Sequence, residues 1–110
     1  MSEINKYRIE KGGEDFTIDY NLCSIATIRS TELAQSFTIN RPDGRSFETL
    51  YTDNNINYFY KATSSMESYG SYKVIVPSFF NIDSSIFLDS MIKYIGIGKR
   101  GIIWTVMFGG

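Results

Sequence analysis

Ile102-Ile103-Trp104-Thr105-Val106-Met107-Phe108 is the stretch that decides the fold. Every residue in it except Thr105 is apolar. A strand with one wet face alternates apolar and polar residues, whereas a strand apolar on both faces is covered on both. Residues 92–98 (Ile-Lys-Tyr-Ile-Gly-Ile-Gly) read as its partner strand, and Lys99-Arg100-Gly101 as the charged tip of a tight hairpin between them. The helices elsewhere in the chain are the available covers. The expected fold class is therefore α+β: a three-layer α-β-α sandwich around a small antiparallel central sheet.

Working outward, residues 2–11 read as a short helix, with Ser2 as its cap, Ile4 and Tyr7 on one side and Gly12-Gly13 at its end. Asp19 is a good N-cap for a longer helix over residues 20–36. Leu22, Ile25, Ala26, Arg29, Leu33 and Phe37 recur there at helical spacing, and all but Arg29 are apolar. Arg29 is expected to lay its stem on the core and to form a solvated pair with Glu32, three positions on. Arg41-Pro42-Asp43-Gly44 is a strong turn, because proline presets φ and Asp and Gly suit the positions after it. Ser46 is expected to cap a short helix ending near Tyr51, with a turn at Asp53-Asn54-Asn55. Residues 57–62 (with Tyr58, Phe59 and Tyr60) read as a strand and residues 64–71 as a polar loop. Residues 72–76 are ambiguous between helix and strand, and Pro77 ends either. Asp83 or Ser84 caps a short helix running to Asp89.

The chain has 110 residues, room for one domain over residues 1–110 with one modest core. Its 11 basic and 12 acidic residues leave a net charge of −1 without runs, so nothing marks a nucleic-acid surface. The single cysteine, Cys23, cannot close an internal disulfide and reads as a buried thiol beside Leu22, Ile25 and Ala26. No stretch reaches the roughly 18 apolar residues that span a bilayer, and residues 1–10 hold no apolar signal core. Any signal or lipid anchor would stand outside this chain.

Histidine is absent altogether. Its loss removes the usual general base, the commonest metal ligand and every Ser-His or Cys-His dyad. The Ser64-Ser65 and Ser84-Ser85 pairs have no lysine at a recognisable spacing that could replace it. No two carboxylates stand out as a hydrolytic pair. Gly96-x-Gly98 and Gly109-Gly110 lack the further residues of a phosphate loop. Tyr58, Tyr60 and Phe80 read as core, while Tyr69, Tyr72 and Phe79 are candidate partner-binding aromatics.

Several segments, in order, resemble one family. They are Asn5-x-x-Arg8-x-x-x-Gly12, Asp19-x-x-Leu22-x-x-x-Ala26-x-x-Arg29-x-x-Glu32-Leu33-Ala34, Phe37-Thr38-Ile39-Asn40-Arg41-Pro42-Asp43-Gly44, Ile95-Gly96-Ile97-Gly98 and Trp104-Thr105-Val106-Met107-Phe108-Gly109. The set is similar to the CAP superfamily (cysteine-rich secretory proteins, antigen 5, pathogenesis-related 1) in its bacterial, cysteine-poor form. The resemblance implies an α-β-α sandwich and a secreted or cell-surface location. It also implies a His/Glu tetrad able to hold a divalent metal, and this sequence departs from it. One histidine position falls on Ile39, the glutamate on Thr63 and the second histidine on Asp83. Asp83, Asp89, Thr63 and Glu67 supply only part of the ligand set a hard cation wants. The expectation is a non-enzymatic binding or interaction domain with no cofactor and no metal. Its partner would be a protein or a small apolar ligand. The alternatives are a carrier of lipid or another small apolar molecule, or a hydrolase with a relocated carboxylate site.

Overall fold

The computed structural model describes residues 2–10, 15–70, 78, 86 and 88–110. Helix α1 covers Ser2–Glu10, strand β1 Thr17–Ile18, helix α2 Tyr20–Gln35 and helix α3 Thr49–Asp53. Strands β2, β3 and β4 cover Lys61–Glu67, Tyr94–Arg100 and Ile103–Gly109. The sheet order is β1-β3-β4-β2, with β4 central and buried along its whole length. β3 and β2 flank it antiparallel. The hairpin tip is Gly101-Ile102, with Arg100 paired to Ile103. Gly101 takes φ +60°, which suits a two-residue turn with glycine first, so Lys99 and Arg100 remain in the strand instead of forming the tip.

Strand alternation divides β4 between two cores. Trp104, Val106 and Phe108 face a cluster with Ile4 of α1, Phe16, Ile92 and Ile95. Met107 faces Leu22, Ile25 and Ala26 of α2 and Leu50 and Tyr51 of α3. Helices therefore cover both faces, which is the layering implied by a strand apolar on both sides. Burying a side chain such as Phe108 stabilises by roughly 1.5–3 kcal/mol. Within 95–98 the same alternation sends Ile95 toward the first cluster and Gly96 and Gly98 toward α2.

Helix α2 begins where Asp19 Oδ1 accepts the Asn21 amide at 2.8 Å. Its buried face is Leu22, Ile25, Ala26, Arg29, Ser30 and Leu33. The helix ends at Gln35, so Phe37 leaves the buried stripe and is half exposed. Cys23 is half-buried and free, less enclosed than its neighbours imply. On α1, Asn5 accepts the Phe16 amide at 2.7 Å. Arg8, buried against the Phe16 ring, donates to the Ile92 carbonyl at 2.7 Å.

Further sequence expectations change. The sheet is mixed, because the two-residue β1 runs parallel to β3; the chain returns from β1 through α2 and the rest of the fold, a crossover long enough for a parallel pair. The strand expected over 57–62 instead covers Lys61–Glu67, and the expected loop supplies its second half. Thr63 and Ser65 are polar because they lie opposite Met107 and Thr105 on the α2 side, where their hydroxyls find partners. Ser46 does not cap α3: its carbonyl accepts from Thr49, and the helix starts after Glu48. Ser2 lies within α1 and does not precede it. The turns at Arg41–Gly44 and Asp53–Asn55 are present, with a 2.8 Å bond from the Gly44 amide to the Arg41 carbonyl and Asn55 at φ +57°. The readings at Gly12-Gly13, residues 72–77 and Phe80, and the proposed cap at Asp83 or Ser84, lie outside the described residues.

Candidate functional site

A cavity of about 350 Å³ opens between the C-terminal half of α2, residues 37–39 and β2. Arg29, Leu33, Phe37, Thr38, Ile39, Phe47, Thr63, Ser64 and Ser65 line it. Its size is at the small end of ligand pockets. Leu33, Phe37, Ile39 and Phe47 make an apolar wall. Thr63 and Ser65, on the α2 side of β2, give it a hydroxylated floor.

The wall is held by a cation. Arg29 reaches its position because helical spacing places it on the buried stripe, and it is 3% exposed. Its guanidinium donates to the carbonyls of Thr38 at 2.5 Å and Ile39 at 3.1 Å, and pairs with Glu32 at 3.3 Å. Charge-assisted bonds of this kind fix the carbonyls they bind. The pair is not the solvated one expected from sequence, because residues 38–40 fold back over it. Glu32 also binds Arg41 at 2.9 Å. Arg41 pairs with Asp53 at 3.1 Å, and Arg45 joins Asp53 and Asp43. This alternating chain ties the Arg-Pro-Asp-Gly turn to α2 and α3. Hydrogen bonds from Arg45 and Arg41 hold the Asp53 carboxyl below its ordinary value, and bonds from the Arg45 amide and guanidinium do the same for Asp43.

The floor is a row of hydroxyls. Thr63 Oγ1 donates to the Val106 carbonyl at 3.0 Å. Ser30 of α2, fully buried, donates to Thr105 Oγ1 at 2.8 Å, and Thr105 Oγ1 lies 3.0 Å from Ser65 Oγ.

Ile39 and Thr63, 24 positions apart in sequence (63 minus 39), line one cavity. Ile39 is 92% exposed at its mouth and Thr63 is half-buried. Asp83, Tyr72 and Phe79 lie outside the described residues. Tyr69 is 91% exposed and stands apart from the cavity lining. Of the two expected core tyrosines that are described, Tyr58 is half-buried, its hydroxyl bonded to Asp19, and Tyr60 is only partly covered. Sequence reasoning missed Phe47, Ser64 and Ser65. Helical spacing reads Leu33 and Phe37 as core; Leu33 is buried as that reading has it and also lines the cavity, whereas Phe37 is half exposed. Among the described residues no three of His, Cys, Asp and Glu cluster as a metal site, and no helix is long and apolar enough to cross a membrane.

No family model matches the sequence, and no curated protein matches it. Solved structures do share its fold. An extracellular protein containing an SCP domain from Bacillus anthracis matches 99% of this chain with a TM-score of 0.88 at 12% identity. A cysteine-rich secretory protein from Staphylococcus aureus matches 98% with 0.82 at 19% identity. An outer surface protein from Borrelia burgdorferi matches 98% with 0.83 at 17% identity. The fold is CAP-like, that of the SCP domain. The chain spans 39% and 36% of the first two proteins and 86% of the third.

Proposed function

We propose that this chain is a single, non-enzymatic CAP-like binding domain that works outside the cell or at its surface. In this reading the cavity takes an apolar partner at the place that the family resemblance gives to a metal-binding tetrad. The observation that carries the reading is the meeting of Ile39 and Thr63 in one cavity. These are two of the positions that the family resemblance assigns to the metal tetrad. Isoleucine offers no lone pair and a threonine hydroxyl is a poor substitute for a carboxylate, so the wall disfavours an ion and favours hydrocarbon. The location rests on the three neighbours, which are respectively extracellular, secretory and outer-surface proteins.

Nile red, an uncharged apolar dye, tests the reading. Its emission is expected to rise with the native protein and to fall back with Ile39→Asp, a change at an exposed position that the fold tolerates. Zinc, calcium and magnesium are expected to leave the melting temperature unchanged. A true site at a hundredfold excess over Kd would add about 2.7 kcal/mol of stability. A cation-dependent rise in melting temperature, with no dye response, would overturn the proposal.

A further inference from the structure

The hydroxyls of Ser30, Thr105 and Ser65 form a row that ends at the cavity. Each hydroxyl carries one proton. Ser30 gives its proton to Thr105 at 2.8 Å, in preference to the Gly98 carbonyl at 3.4 Å. Across the 3.0 Å between Thr105 and Ser65 either hydroxyl is placed to donate; with Ser30 giving its proton to Thr105, every proton of the row finds an acceptor when Thr105 gives to Ser65. Ser65 Oγ, having accepted that bond, keeps its proton for the cavity that it lines. Successive hydroxyls polarise one another, so the last is a better donor than a lone serine. The row is anchored in a packed layer, because Ser30 and Thr105 are both fully buried. The row is therefore held in place before any ligand arrives.

The charges nearby do not ask for a charged ligand. Arg29 is occupied by Glu32 and by the carbonyls of residues 38 and 39. Glu32 is shared with Arg41. What remains open to an occupant is the apolar surface of Leu33, Phe37, Ile39 and Phe47 and one hydroxyl donor at the floor. We propose that the cavity binds a small, mainly hydrocarbon molecule bearing one uncharged carbonyl oxygen, which accepts a hydrogen bond from Ser65 Oγ. This rests on the reading of the chain as a binding domain and gives that reading a ligand class.

Hexanophenone and hexylbenzene make the test, since they share ring and chain and differ by the carbonyl. Decanoate is the charged comparison. Calorimetric titration of the wild-type chain is expected to show hexanophenone bound about fivefold tighter than hexylbenzene, the worth of one neutral hydrogen bond. Decanoate is expected to bind more weakly than hexanophenone. Ser65→Ala should abolish the preference while leaving hexylbenzene unaffected, and Ser65→Thr, which keeps the hydroxyl, should restore it. Equal binding of hexanophenone and hexylbenzene, unchanged in Ser65→Ala, would overturn the carbonyl proposal and leave the apolar cavity standing. Tighter binding of decanoate than of hexanophenone would also overturn it. No binding of any of the three, together with no Nile red response, would overturn both the ligand class and the cavity reading.

Discussion

Gly98 lies so close beneath Thr27 that a Cβ added to it would stand 2.2 Å from the Thr27 backbone nitrogen. At Gly96 the same construction meets the Cys23 nitrogen at 2.2 Å. Helix α2 thus rests on the bare backbone of β3. This close approach brings Ser30 within reach of Thr105 and places Arg29 and Leu33 at the cavity.

Gly98→Ala should therefore be among the most damaging single-methyl changes in the chain. Backbone meets backbone there, so no side chain can yield, and α2 must lift. Overpacking of this kind costs about 3 kcal/mol. Urea denaturation checks it. The lifted helix should also separate Ser30 from Thr105, so any folded variant is expected to lose its preference for the carbonyl ligand. A variant as stable as wild type would contradict the close packing.

Arg29→Met keeps the apolar stem and removes the guanidinium from the carbonyls of residues 38 and 39. Bonds from a charged donor are worth about 2 kcal/mol net. The expected result is a loss of that order in urea denaturation, with faster exchange of the amides in residues 38–41. Nile red affinity should fall too, because the wall at Phe37 and Ile39 is no longer fixed. A stability loss without a change in dye affinity would show that Arg29 supports the fold and not the cavity.

The acid limb of stability should run through Asp53. Arg45 and then Arg41 hold its carboxyl below the ordinary value of 3.8. A depressed carboxylate contributes stability that is fully present above its unfolded value and is lost as pH falls through its folded value. Melting temperature should therefore fall on acidification below about pH 4. In Asp53→Asn that slope is expected to be shallower, with Asp43 supplying part of the remainder. Identical acid slopes in the two proteins would contradict the assignment.

What the sequence made legible follows from how local each signal is. The residues of β4 declare two covered faces by themselves, and Asp19 caps α2 through a bond to a residue two positions on. Asn5 and Arg8 carry the family resemblance because each reaches a distant backbone, at Phe16 and Ile92, so few other residues would serve. β2 was misplaced for the opposite reason. Its hydroxyl-rich half looks like loop until Thr105 and α2 supply partners that only the folded chain brings near. Arg29 looked like half of a surface pair because nothing in the helix reveals that residues 38–40 fold back over it. Ile39 and Thr63 line the cavity, and only the family pattern draws attention to either in the sequence. Ser65 depends on a cross-strand register that no local pattern encodes.

Zinc titration of the wild-type chain beside the double variant Ile39→His, Thr63→Glu tests the central claim most directly. If the cavity has the site's walls without its ligands, the variant gains a zinc-binding heat and the wild type gives none. Zinc bound as tightly by the wild type, or a folded double variant that gains nothing, would contradict the account.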